Sequence, residues 1–353
     1  MVGQEASAVD GSKALQRQAV VSIVKGQDRY QNVASALALI EDQINLEGKK
    51  LVLVKVNFVS TANQLAATHV EATRALLDFI RARYSGPLVI AEGAAMSPTF
   101  DGFKNYGYLP LASQYDALLL DLNQDQWEEV EVLDRHLRPI KVRVAKTVLE
   151  SDFRISITPP KTHDTVVVTL TLKNIIVGSL IRDTGGASAV ADFARRFTPS
   201  WLSSLPLVQG LKERTQQSLF RNDKVAIHQG YKAININLYR LARLVWPHLS
   251  IIDGFEGMEG DGPTSGSPVP WRIALAGTDP LAVDSLTAYL MGFDPDEVGY
   301  LYYCKLAGLG IGDISAIKVV GNVALEEVRR RFRPHCSYKE QLSWRFPGAE
   351  EFL

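Results

Sequence analysis

The chain contains only two cysteines, Cys304 and Cys336, in 353 residues. Two thiols cannot build a disulfide framework or a four-thiolate zinc or iron–sulfur site. A reducing cytoplasm is the simplest compartment for such a sequence. Neither sign of charge dominates: 38 Lys and Arg stand against 39 Asp and Glu, a formal charge of −1. That balance argues against a general binder of nucleic acid or of anionic membranes, which would carry a basic excess or a basic face. The triplet Arg329-Arg330-Arg331 reads as a solvated helix face. Apolar runs are of strand length and broken by charges, so no transmembrane helix is expected. The polar start MVGQEASAVDGSKALQRQ has no apolar core of a secretory signal, and residues 1–18 are expected to be a disordered leader. What is present, 46% hydrophobic and 22% charged residues, suits a globular protein with a large core.

Short apolar runs alternate with helical patterns. Val20–Val24, Leu51–Val56 and Leu88–Ala91 are β-branched or aliphatic runs of strand length. Between them, Val33–Ile44 and Val70–Tyr84 carry apolar residues at helical spacing, the second with Ala72, Ala75, Leu76, Phe79 and Ile80 on one face. This order predicts an α/β fold with a mostly parallel sheet flanked by helices. Ala117–Leu122, Val130–Leu133 and Ile140–Val144 read as strands of a more antiparallel meander, and Phe153–Ile157 as a buried strand. Residues 185–225, broken by glycine and proline, read as an inserted helical flap. Ala233–Leu244, Leu249–Asp253, Arg272–Ala276, Leu281–Met291 and Ala316–Val320 complete a second α/β half, so that two halves surround one cleft. The main domain spans 19–322, and 323–353 reads as a helical or irregular extension.

Polar groups recur just after these strands, where open α/β sheets bind ligands. Lys55 and Asn57 stand two apart and so share one face of a strand; the plain alternative is an edge lysine reaching solvent. Glu92 follows LVIA and is either an acid/base group or part of a helix start. Lys161, His163 and their neighbours follow the strand FRISI, and an imidazole there serves as a proton-transfer group, a metal ligand or a turn cap. Lys173 and Asn174 close the run TLTLKN. Asp253 to Pro263 holds four glycines and four carboxylates and reads as a loop suited to an anion or a hard cation. It matches neither dinucleotide-binding nor P-loop spacing. Asp279 and Pro280 read as the N-cap and first residue of a helix, with Asp284 one turn in.

The blocks VLVKVNFV, TPPKTHDTVVVTLTLKNIIVG, LSIIDGFEGMEGDGPTSGSP, LAGTDPLAVDS and GLGIGDISAIKVVG, in this order from about residue 20 to 322, resemble the domain-of-unknown-function family 362. The resemblance covers most of the chain and implies no single activity. Relatives that carry a ferredoxin-like module ligate clusters through cysteines that this chain does not have, so no iron–sulfur cluster of its own is expected.

These residues lead to an enzyme acting on a small anionic substrate. Lys55, Asn57, Lys173 and Asn174 would bind the substrate. His163, Lys161 and Glu92 would be the catalytic groups. Asp253, Glu259 and Asp284 would hold a divalent cation, or else pair with lysines. A non-catalytic cofactor- or metal-binding protein, or a redox partner of an iron–sulfur protein, remains the alternative. No nucleic acid or membrane partner is expected, and the sequence is silent on oligomeric state.

Overall fold

In the computed structural model, which describes residues 18–183 and 221–353, the apolar runs pair into a ten-stranded sheet. In chain order the strands are β1 (Ala19–Lys25), β2 (Val52–Lys55), β3 (Leu88–Glu92) and β4 (Ala117–Asp121). Then come the hairpin β5 (Trp127–Leu133) and β6 (Pro139–Ala145), β7 (Phe153–Thr158), and the short β8 (Lys161–His163) and β9 (Val167–Thr169). The long β10 (Leu249–Glu259) and β11 (Ser267–Gly277) and the final β12 (Ile317–Gly321) complete the set. The main path runs β12-β1-β11-β10-β7-β2-β3-β4. From β10 to β4 every neighbour is parallel. β11 is antiparallel to both β10 and β1, and β12 is parallel to β1. The fold is therefore α/β with a mixed, mostly parallel sheet flanked by helices. Three strands, β11, β10 and β7, separate β1 from β2, and β11 and β12 from the far end of the chain flank β1.

Alternation along β2 explains how one strand serves two layers. Val52, Val54 and Val56 face a core shared with α1 (Arg29–Ala38), α2 (Val70–Arg81), α3 (Thr99–Asn105) and α4 (Leu109–Gln114). Leu53 faces the opposite core, which includes residues of α5 (Lys146–Glu150), α6 (Thr171–Gly178) and the helices Tyr231–Val245 and Pro280–Leu290. Lys55 and Asn57 take the same side as Leu53, directly beneath α6.

Several boundaries differ from the sequence reading for identifiable reasons. The helix expected over 33–44 starts at Arg29, because Asp28 caps it by accepting the Gln31 N–H at 2.8 Å. Ala117–Leu122 joins the main sheet as its edge, while the next two runs form a separate antiparallel hairpin. The Gly-rich stretch from Asp253 is no loop up to Glu259: it is the second half of β10, paired with β11 through a bulge between Gly254 and Glu256. Its glycines serve packing. A Cβ on Gly254 would lie 2.8 Å from the Ile273 side chain, and one on Gly257 3.0 Å from the Phe332 ring. The expected flap at 185–225 falls almost wholly outside the described residues, as does the expected leader. The C-terminal residues wrap back onto the domain, with Phe332 against Trp271 at 4.9 Å between ring centroids and Trp344 against Tyr303 at 5.2 Å. Among the described residues no helix is long and apolar enough to cross a membrane.

Candidate functional site: a buried lysine–histidine cluster

The run TLTLKN is divided in the fold: β9 ends at Thr169 and α6 begins at Thr171. The cause lies far away in sequence. The buried carboxylate of Asp284 accepts the Thr171 N–H at 3.0 Å, the Thr171 hydroxyl at 2.6 Å and the Leu172 N–H at 2.9 Å. It thereby supplies the cap that Leu170 cannot, satisfying donors a helix start otherwise leaves open. At the other end Lys224 donates to the carbonyls of Val177 at 3.2 Å and Gly178 at 3.3 Å, and to that of Leu180. The helix dipole favours the charged form of each group, while burial raises the Asp284 carboxyl to about 7 and lowers the Lys224 amine to about 7. α6 is thus clamped at both ends, and it carries Lys173 and Asn174 down onto the sheet.

Asn174 is the hub. Its Oδ1 accepts from Lys55 Nζ and from Asn57 Nδ2, each at 3.0 Å, and its Nδ2 donates to Ser156 Oγ at 3.0 Å. Lys55 is fully buried, and its ammonium also meets Glu92 Oε2 at 2.8 Å and the Val56 carbonyl at 2.6 Å. Glu92 further accepts the N–H groups of Phe58 at 2.9 Å and Gly93 at 2.8 Å. Burial lowers the Lys55 pKa, with Glu92 opposing. Gly178 makes room for this lysine: a Cβ there would lie 2.1 Å from Lys55 Cε. Lys161 follows β7, pairs with Met258 of β10, and donates to Asn57 Oδ1 and to the Ala66 carbonyl at 2.8 Å. Its burial, reinforced by the charges of Lys173 and Lys55 against the pull of Glu92, pushes its pKa down to about 7.

Lys173 differs from the other lysines in its partners. Its Nζ sits 2.9 Å from His163 Nε2 and 3.3 Å from His228 Nε2. On its far side His163 presents Nδ1 to the Asp164 carboxylate at 2.8 Å. The Thr165 N–H also donates to this Nδ1 at 3.0 Å and the Thr165 hydroxyl lies 3.0 Å from it, so His163 meets Lys173 through Nε2 alone. Burial, and then the nearby Lys173 charge, push His163 down to about 4 and His228 to about 3, so both rings are neutral near pH 7. Burial lowers Lys173 itself to about 8, with Asp164 opposing. Asp164–His163–Lys173 is therefore a relay of polar contacts ending on an amine that titrates near neutrality. The relay reaches solvent at its ends, where Asp164 is exposed and His228 partly exposed.

The placement of these groups follows from topology. From β2 the chain builds outward through β3 to β4, whereas β7 sits on the other side of β2 and leads to β10. Strand order reverses between β2 and β7, and ligands of open α/β sheets bind at the carboxyl ends of the strands at such a point. Lys55, Asn57, Glu92, Lys161, His163, Lys173 and Asn174 gather there.

The three carboxylates read as metal ligands do not join them or one another. Asp253 is buried and pairs with Arg29 Nε at 3.2 Å. Glu259 leans outward and accepts the Arg333 N–H at 2.9 Å. Asp284 caps α6. Each carboxylate has its own partner in a different part of the fold, so no shared cation is needed to offset their charge. Sequence reasoning missed Lys224 and His228, which follow no apolar strand. The only local signal was the polar, uneven run RNDKVAIH.

Fold and site together define an α/β protein that carries a buried lysine–histidine cluster at the carboxyl edge of its sheet. The chain belongs to the family described as Domain of unknown function (DUF362), whose model matches residues 52–289. Among solved structures it is similar to the lactate racemase apoprotein from Thermoanaerobacterium thermosaccharolyticum, with 16% sequence identity and a TM-score of 0.39. That match covers 80% of this chain and 56% of the other, so this chain spans little more than half the length of that protein. A search of curated proteins gave no match.

Proposed function

We propose that this protein is an enzyme acting on a small anionic molecule at the Lys161–Lys173–His163 cluster. The observation that carries the proposal is the environment of Lys173, an ammonium whose side-chain partners are two neutral imidazoles rather than a carboxylate. An incoming anion supplies the missing negative charge. Lys161, 2.8 Å from a carbonyl and next to Asn57, adds the second cation. Asn57 and Asn174 fix the geometry, and Lys55, neutralised by Glu92, supports Asn174 from beneath. Glu92 acts here as a positioning group, since its two oxygens already accept three hydrogen bonds.

The relay supplies proton transfer. The Lys173 amine takes a proton from the bound substrate and returns it, while the neutral His163 and His228 rings hold Nζ in place through their Nε2 atoms. An amine with a pKa of about 8 is present in both forms near neutral pH, as such a group requires.

A thermal-shift screen of small carboxylates and phosphates at pH 6.5 tests binding, and assay of the stabilising compounds for conversion tests catalysis. His163→Ala should retain the midpoint shift and abolish turnover. A shift without conversion in the wild type, unchanged in His163→Ala, would make the protein a non-catalytic binder instead.

A further inference from the structure

We propose a second site, a surface metal centre formed by Asp261, His335 and Cys336. One ligand atom from each residue lies within 4.8 Å of the other two, and of the acidic stretch Asp253 to Pro263 only Asp261 takes part. Cys336 Sγ stands 3.7 Å from His335 Nδ1. On a tetrahedral zinc ion, bonds of about 2.3 Å to sulfur and about 2.0 Å to nitrogen separate those atoms by roughly 3.6 Å. The observed spacing is thus that of two ligands on one ion, reached once the metal displaces the Ser337 N–H that Nδ1 now accepts at 3.1 Å. The Asp261 side chain forms no hydrogen bond or ion pair with the described residues, and it supplies a third ligand of opposite charge to the metal. Cys336 is exposed, whereas Cys304 is buried, so only Cys336 is open to a metal ion from solution.

Thiolate, imidazole and carboxylate together suit a borderline-soft divalent ion, zinc above all. Three protein ligands leave a fourth position open to water or an anion. The surrounding backbone holds the three residues in register. The Gly260 N–H donates to the Arg333 carbonyl at 2.7 Å, tying the Asp261 turn to the C-terminal segment. Before metal binds, Ser337 holds the His335 ring in place, its N–H 3.1 Å and its hydroxyl 2.8 Å from Nδ1, contacts that the ion replaces.

The centre also adjoins the lysine–histidine cluster. Ser337 Oγ donates to the Asp164 carbonyl at 2.9 Å, and Gln341 Nε2 to the His163 carbonyl at 2.8 Å. Thr162 Oγ1 donates to the Gly260 carbonyl at 2.9 Å. A metal bound here would fix the loop that carries His163 and Asp164 without touching the relay itself.

The test uses the full, untagged chain, stripped with a chelator and titrated with Zn2+ against a competing dye and, separately, with Co2+ under absorbance. One ion should bind per chain, and Co2+ should give a thiolate charge-transfer band. Cys336→Ser, His335→Gln and Asp261→Asn should each weaken binding by more than about tenfold, the least expected for a direct ligand when outer partners alone cost 10–100-fold. The three positions are exposed or partly exposed, so the substitutions leave the core intact, and Glu259→Gln, a neighbour outside the trio, should bind as wild type. Absence of a tight site, absence of the thiolate band, or a loss confined to Cys336→Ser would overturn the proposal. The last pattern would mean a lone thiolate rather than a centre. None of these outcomes bears on anion binding by Lys173, so this inference and the proposed function stand or fall separately.

Discussion

Replacing Glu92 by Gln keeps the side-chain shape and removes the charge that faces Lys55. In the native fold the two are 2.8 Å apart and both are buried. At an effective dielectric constant of 20, unit charges at that distance attract by about 6 kcal/mol, much of it spent on desolvating the pair. Breaking a buried pair from one side typically costs about 3–5 kcal/mol, because the remaining ion is left uncompensated. The carboxamide also turns an NH2 toward the N–H donors of Phe58 or Gly93, which adds to the loss. Against a total stability of about 5–15 kcal/mol this is a large fraction. Lys55 limits the damage by shedding its proton. Its folded pKa is depressed, so the unfolded chain binds more protons above that pKa and stability rises with pH. The deficit of Glu92→Gln should therefore be largest near pH 6 and shrink toward pH 9. Urea unfolding, followed by tryptophan fluorescence and far-ultraviolet circular dichroism together, measures it and checks that the transition is two-state. Adding Lys55→Met should recover about 2 kcal/mol relative to the sum of the single changes. A Glu92→Gln cost below about 1 kcal/mol at pH 6, or strict additivity in the double variant, would refute the reasoning.

Other perturbations probe separate parts of the account. Gly178→Ala would press a Cβ onto Lys55 and should cost several kcal/mol, about 2 or more, with Lys55→Met restoring part of it, as read by the same unfolding assay. Asp284→Ala should destabilise by about 1–3 kcal/mol through loss of the α6 cap, and calorimetry should show zinc binding unchanged. Lys161, Lys173 and Lys224 have folded pKa values of about 7, about 8 and about 7, below their unfolded values. Their sign is the reverse of a raised lysine: the unfolded chain holds protons that the fold releases, so the thermal midpoint should climb from pH 6.5 to pH 9. A flat profile would contradict the burial of these ammonium groups, and Lys161→Met should lessen the slope.

The strands were legible because β2 and β3 are short, mainly aliphatic runs buried on both faces, the usual signature of parallel sheet. The sharing of one face by Lys55 and Asn57 followed from the two-residue period alone. What the sequence concealed was non-local. Nothing near Leu170 announces a helix, because its cap is the Asp284 side chain, 113 residues away. The glycines of DGFEGME mimic a loop, but in the fold they let β10 pass close to Ile273 and Phe332. Carboxylates that look like one ligand set when read along the chain point to different partners once that stretch becomes a strand. His228 and Lys224 could not be found by looking after strands, since they enter the cluster from a helix that follows the undescribed segment.

Isothermal titration calorimetry with inorganic phosphate, oxalate and citrate at pH 7.5, run in two buffers of different ionisation enthalpy, tests the central claim most directly. If the cluster is an anion site, at least one of these anions binds once per chain. Lysines that are partly neutral in the free protein take up protons from solution as it does so. Affinity should then fall as pH rises from 7 to 9, and Lys161→Met and Lys173→Met should each remove both the binding and the proton uptake, while Glu259→Gln changes neither. No binding by any of the three anions at pH 6.5 or 7.5, or binding without proton uptake that survives both lysine substitutions, would contradict the account.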